Sequence, residues 1–339
     1  MGRSIEVKKG IVFLLLSGVI FFCCQKPEPS LYTIGILQVV ESPTVSEVRK
    51  GFIQALEDQG LQEGVDVRLT IRNGQGEISE VQNIAQEFVK NKVDMIVALS
   101  TPSLQAALIA TQRIPIIFSS VANPYLTRAG TSATDHLSNV TGVASTGPIQ
   151  QTLAFIKEVL PSIRRIGTLW TPSELNSEYY LELTRDAAAQ LGFEVIAVPI
   201  TNTNEILLAA QILINKKIDA IYQISDNTIN TSFEAIGKVA EENAIPLFGG
   251  FPLSTHLGAC AAMGWDFFDM GYKGGLIAVR VKNGESPAGI PFQSMSDIKL
   301  YLNLAAAEKQ GVRFSEEVLK RANEVIPSKE KIPSHRPSE

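Results

Sequence analysis

Two stretches of the chain follow one plan. NKVDMIVALSTP (residues 91–102) and KKIDAIYQISDN (residues 216–227) each run from the lysine-bearing end of a helical segment into a β-branched strand, then stop at a polar tip. The match extends outward on both sides. RIGTLW answers TIGILQ, FEVIAVPI answers VDVRLTI, NEILLAAQILINKKIDAIYQIS answers EVQNIAQEFVKNKVDMIVALS, and AIPLFGGF answers RIPIIFSS. In both copies short β-branched runs alternate with amphipathic stretches, the pattern of parallel βαβ units. A 339-residue chain that makes this unit twice is expected to be α/β, with two Rossmann-like lobes on parallel sheets joined by a hinge.

The punctuation between the copies sets the expected boundaries. NVTGVASTGP (residues 139–148), with glycine and small polar residues, is placed as the first crossover, and GACAAMGWDFFDMG (residues 258–271) as a later one. The first lobe is expected to span residues 32–145 plus about 268–290, and the second 146–267 plus about 291–326. Residues 327–339 read as a disordered tail.

The first thirty residues belong to neither lobe. Arg3, Lys8 and Lys9 precede the apolar run IVFLLLSGVIFF, which is too short to span a bilayer comfortably and has the length of an export signal's core. Cys23 and Cys24 follow, then the polar, proline-containing QKPEPS. This order predicts a signal peptide over residues 1–23, a lipid-anchor tether over 24–31 and acylation of Cys23 or Cys24. Phe21 and Phe22 stand where small residues are usual before a cleaved bond, so a plain signal peptide or an uncleaved anchor is the alternative.

Several function classes lose support at this stage. A net charge of -5 and a pI near 5.5 leave no general basic field for a phosphate backbone, so no nucleic acid partner is expected. Cys260 is the one cysteine in the body of the chain, which removes any intramolecular disulfide there and suits a small buried side chain. His136, His256 and His335 fall into no metal-ligand spacing with cysteine or carboxylates, so no metal is expected. GQGEIS (residues 74–79) imitates a dinucleotide fingerprint but carries Ser79 at the third glycine position, and reads as a tight polar turn rather than a cofactor site. Neither a phosphate-binding G-x-x-x-x-G-K-[ST] loop nor a G-x-S-x-G elbow occurs.

Binding chemistry is better supplied. In parallel sheets ligands sit beyond the carboxyl ends of the strands, where Ser100 and Thr101 in one copy answer Ser225, Asp226 and Asn227 in the other. The competing reading is that these residues cap the helices that follow them, and the two roles are compatible. Glu41 ends the first strand of the first copy and residues 119–124 (SSVANP) its fourth, while the second copy adds residues 170–177 (WTPSELNS), with Trp170 and Asn176, and Phe251 at corresponding tips. One or two anions among hydroxyls, amides and aromatics suit a small zwitterion, although core packing accounts equally well for Trp170 or Phe251 taken singly.

With these segments in order, the chain resembles the solute-binding lipoproteins of bacterial ABC importers. The family's better-known members take up tryptophan or tyrosine and adopt the type I periplasmic-binding-protein fold. The resemblance is carried by IGILQVVESP, RKGFIQALEDQG, AQEFVKNKVDMIVALSTPS, NVTGV, PSELNS, KKIDAIYQISDNT, AAMGWDFFDMG and DIKLYLNLAAAEKQGV, nearly the whole chain after the tether. It implies capture of an amino acid-like ligand between closing lobes, a permease and an ATPase as partners, a membrane anchor and a monomeric state. It also implies that Asp226 and Asn227 receive the ligand ammonium. Ser100, Thr101 and Ser145 or Thr146 would hold the carboxylate, and Asn176 and Glu41 would complete the polar shell. GGF at residues 249–251 and Trp170 depart from the family's usual residues, so tryptophan, tyrosine or phenylalanine is a leaning only. A sensor module serving a separate receptor, or an enzyme on the same scaffold, are the competing classes.

Overall fold

Strand β1 (Tyr32–Gln38) is buried through its last five residues, apolar up to Leu37 and closed by Gln38, as a strand covered by helices on both faces must largely be. In chain order it is followed by α1 (Pro43–Asp58), β2 (Val67–Asn73), α2 (Ile78–Lys90), β3 (Met95–Leu99), α3 (Thr101–Ala110), β4 (Ile116–Val121) and β5 (Val140–Ala144). The computed structural model describes residues 1–2 and 31–328. The apolar leader, Cys23 and Cys24, most of the tether and the tail beyond 328 lie outside them. Among the described residues no helix is long and apolar enough to cross a membrane.

After β5 the chain enters a second unit of the same kind. It comprises α4 (Ile149–Val159), β6 (Arg165–Trp170), α5 (Leu175–Leu191), β7 (Glu194–Pro199), α6 (Ile206–Asn215), β8 (Ala220–Gln223), α7 (Asn227–Asn230), α8 (Phe233–Glu242), β9 (Leu247–Gly249) and β10 (Ala261–Gly264). The chain returns to the first unit through α9 (Phe267–Lys282) and β11 (Gln293–Ser294). It ends in the second with β12 (Lys299–Asn303), α10 (Leu304–Lys309), α11 (Glu316–Arg321) and β13 (Glu324–Ile326).

The two sheets have orders β11-β5-β4-β3-β1-β2 and β13-β12-β10-β9-β8-β6-β7. Every pairing in the first is parallel, and in the second β10 with β12 is the antiparallel exception. The duplication read from the sequence is thus an architecture of two mostly parallel sheets, the type I periplasmic-binding-protein fold. One boundary needs correction: residues 291–294, assigned above to the second lobe, carry β11, which pairs with β5 of the first sheet. A strand of two polar residues has no periodicity to announce it.

Each sheet divides its core by the strand's period of two. From β3, Met95, Val97 and Leu99 pack with Phe52 of α1 and Ile277 of α9, whereas Ile96 and Ala98 pack with Phe88 of α2 and Leu104 of α3. In the second sheet Tyr222 faces Phe155 of α4 and Leu181 of α5, and Ile221 faces Leu213 of α6 and Ile236 of α8. The chain passes between the sheets after β5, after β10 and after β11. Those passages bring the carboxyl ends of both sheets to one cleft.

Candidate ligand-binding site

At the cleft lies a narrow pocket lined by residues of both lobes. From the first sheet it is lined by Ser120 and Ala122 at the end of β4, and Ser145 and Gly147 follow from the passage after β5. Ser120 reaches it by a backbone irregularity. The β4/β5 register shifts between Phe118 and Val121, and Ser120 sits at φ 58°, a left-handed conformation that costs a non-glycine residue energy and clusters at functional sites.

The second lobe supplies Asn176 and Tyr180 from the first turns of α5, Ser225 and Asn227 beyond β8, and Gly250 and Phe251 beyond β9. Trp265, then Phe267 and Met270 of α9, close the wall where the chain recrosses. The cavity therefore brings together four aromatic residues, Tyr180, Phe251, Trp265 and Phe267, and a set of hydroxyls and amides. The walls are tied to each other. Tyr180 Oη donates to the Ser145 carbonyl at 2.8 Å, and Trp265 Nε1 donates to the Thr146 carbonyl at 2.9 Å. Burial pushes the Tyr180 hydroxyl up to about 12, which keeps it a neutral donor.

Behind the amides stand two buried carboxylates. Glu174, 2% exposed, accepts at Oε2 from Asn176 Nδ2 (3.0 Å), Asn227 N (3.1 Å) and Asn227 Nδ2 (2.6 Å). Its Oε1 accepts from Thr228 N (2.9 Å) and Thr228 Oγ1 (2.7 Å). Asp226, 1% exposed, caps α7 by accepting from Ile229 N at 2.9 Å, and accepts from Thr171 N at 3.0 Å. Burial, and then repulsion from Glu174, push the Asp226 carboxyl up to about 7 against hydrogen bonds from Ser177, Ile229 and Thr171. Neither acid forms an ion pair with a basic side chain of the described residues.

Four of the ten residues nominated from the sequence line this cavity: Asn227, Ser145, Asn176 and Phe251. The other six stand elsewhere, for identifiable reasons. Asp226 is turned away into its two backbone donors. Ser100, at φ 125°, caps α3 through Ser103 N, and Thr101 Oγ1 accepts from Ala122 N at 3.2 Å, so both support the wall without forming it. Thr146 Oγ1 donates to the Ala122 carbonyl at 2.5 Å. Glu41 is paired with Arg49 at 2.7 Å and lines a separate outer groove, and Trp170 packs into the second lobe's core. For Ser100 and Asp226 the capping alternative describes the side chain's partners, while Thr101 ties α3 to the end of β4. Among the described residues no group of three or more histidine, cysteine, aspartate or glutamate side chains is placed to hold a metal. Cys260 is fully buried, as its apolar surroundings in the sequence suggest.

The sequence offers Ser120 and Glu174 only as members of polar strand-tip segments, 119–124 and 170–177, without a role of their own, and gives no nomination to Tyr180, Trp265, Phe267 or Met270. Glu174 and Tyr180 carried a usable signal, because both lie within one helical turn or so of Asn176 in the PSELNS segment. Ser120 carried the signal of its strand end but not of the bulge that turns it inward, and Trp265 and the α9 residues carried none, since a recrossing chain brings them to the cleft.

A family model described as ABC transporter substrate binding protein matches residues 33–326, essentially all of the two-lobed body. The chain belongs to that family. It is 36% identical over 270 residues to the "Tyrosine-binding protein" of Clostridioides difficile, covering 80% of this chain and 78% of that protein. Among solved structures it is similar to an ABC domain from Streptococcus pneumonia in complex with L-Trp, at 30% identity and a TM-score of 0.83, covering 88% of this chain and all of that one. It is also similar to the ligand-free, open form of a Clostridium difficile substrate binding protein with adhesive properties, at 31% identity and a TM-score of 0.65. That alignment covers 88% of this chain and all of that one. At nearly equal identity, the better superposition on the ligand complex goes with the narrow cavity enclosed from both lobes here.

Proposed function

We propose that this substrate-binding protein captures an L-amino acid with an aromatic side chain and delivers it to an ABC permease and its ATPase. The observation that carries this reading is the composition of the lining. Tyr180, Phe251, Trp265 and Phe267 offer aromatic surface, and Asn176, Asn227, Ser145, Ser120 and Ser225 offer polar groups in the same cavity. An aromatic amino acid needs both. The tyrosine-binding and L-Trp-bound relatives support it.

Ligand bound between lobes favours the closed arrangement because its contacts to both walls exist only there. The leader ending at Cys23 and Cys24 supports export and a lipid anchor, with the lobed body acting as a monomer outside the membrane. Thermal-shift and calorimetric titration of the body with L-tyrosine, L-tryptophan, L-phenylalanine, L-leucine and glucose tests the ligand class. An aromatic amino acid is expected to raise the melting temperature and the others not to, because a ligand that binds only the folded state stabilises it. Tighter binding of glucose or leucine refutes the assignment.

A further inference from the structure

Asn176 and Asn227 lie side by side in the cavity lining with the same side-chain chemistry and the same partner behind them. Both Nδ2 groups donate to a single oxygen, Glu174 Oε2, at 3.0 and 2.6 Å. A carboxylate oxygen that already receives the Asn227 backbone N–H is met at such distances only by the NH₂ end of an amide, so the rotation of both amides is settled by chemistry. Each amide is left with its Oδ1. That of Asn176, a residue 6% exposed, is buried without a hydrogen-bond partner among the described residues, and Asn227 Oδ1 receives no hydrogen bond from them either. The buried Asn176 oxygen without a donor is costly and calls for one, and that of the half-buried Asn227 is free to share it.

Resting on the aromatic amino acid reading above, we propose that Glu174 is the positioning residue for the ligand's amine. It locks Asn176 and Asn227 so that their two Oδ1 atoms form a socket for an ammonium group. The carboxylate does not touch the ligand. Five donors occupy its oxygens, and its charge reaches the ligand through two polarised amides. Asp226, buried beside it and raised to about 7 by burial and by Glu174, is not needed as a charge for the socket. This arrangement replaces the direct Asp226-to-ammonium contact inferred from the sequence. It also accounts for a wall of neutral amides in front of a buried carboxylate, Glu174, that pairs with no basic side chain of the described residues, since an ammonium seated on the amides supplies positive charge.

Discrimination between an amine and its absence tests the socket. Binding of L-tyrosine and of its des-amino analogue, 3-(4-hydroxyphenyl)propanoate, would be compared by calorimetry for the wild type, Glu174→Gln and Asn176→Leu. The wild type is expected to favour tyrosine. Glu174→Gln, which must turn an NH₂ toward a backbone N–H and frees the amides to rotate, is expected to weaken tyrosine about tenfold or more while changing the analogue by less than about threefold. Asn176→Leu removes one acceptor without touching Glu174's contacts to Thr228 and is expected to shift the same ratio in the same direction, which keeps the test available should Glu174→Gln fold poorly. Unchanged tyrosine-to-analogue ratios in the variants that fold would show that Glu174 only caps α7, and overturn the socket. A wild type that binds both compounds equally overturns the socket and leaves the aromatic-acid reading standing; one that binds neither tyrosine nor tryptophan overturns both.

Discussion

Replacing Gly271 by alanine probes the contact on which the cavity's α9 wall depends. A Cβ at Gly271 would lie 1.8 Å from the Val48 carbonyl oxygen and 2.7 Å from its carbon, both backbone atoms of α1. Real Cβ contacts stay beyond 3.0 Å, so the two helices must part by 3.0 − 1.8 = 1.2 Å, or tilt to the same effect. Gly51 faces the same seam from α1, where an added Cβ would meet the Phe268 carbonyl oxygen at 2.0 Å, so there is no slack in the other direction. Parting by about 1 Å forfeits a quarter to a half of each van der Waals contact across the seam, which includes Val48 and Phe52 against Met270 and Ile277. Overpacking of this kind costs about 1–3 kcal/mol, and an obstruction by backbone belongs at the upper end. In a chain this long each kcal/mol lowers the melting temperature by about 2–4 °C. Gly271→Ala is therefore expected to melt about 5–10 °C below wild type in a calorimetric scan. Because Met270 lines the cavity, ligand affinity should fall with it. Gly289→Ala, where an added Cβ meets nothing within 4 Å, serves as the control. If both alanine variants melt within about a degree of wild type, the tight helix seam is not what holds this wall.

Stability should depend on pH through Asp226. Its carboxyl is raised to about 7 when folded, so the native state holds a proton that the unfolded chain has released above the ordinary carboxylate range, and ligand-free stability should fall as pH rises from about 4 to about 7. Urea denaturation of Asp226→Asn should show that slope removed even if overall stability is lower; an undiminished slope assigns the titration to another group. Tyr180→Phe leaves the Ser145 carbonyl without its 2.8 Å donor and is expected to cost about 1–3 kcal/mol in chemical denaturation. No measurable change would mean that another donor reaches the carbonyl.

The polar tips themselves were legible before any coordinates. Residues 100–101 and 225–227 stand at the ends of equivalent strands because duplicated βαβ units must end their strands on one side. Their division of labour was not. Ser100 and Asp226 are chemically suited both to a ligand and to a helix N-terminus, and the N–H groups that claim them become available only when α3 and α7 form. Glu174 was equally ambiguous on paper, an acidic residue near a helix start, four of whose five donors come from α7, fifty-three residues away in the case of Asn227.

By itself the sequence determined the class of the fold, its duplication, the strands and most helices, since burial on both faces of a parallel sheet forces apolar runs that can be read in order. It also determined the family. Tertiary structure alone decided which side chains share the cavity. A bulge turns Ser120 inward, the return of the chain through Trp265 and α9 completes the aromatic lining, and two amides are oriented by one buried carboxylate. Those outcomes depend on contacts between distant segments, for which local periodicity carries no signal.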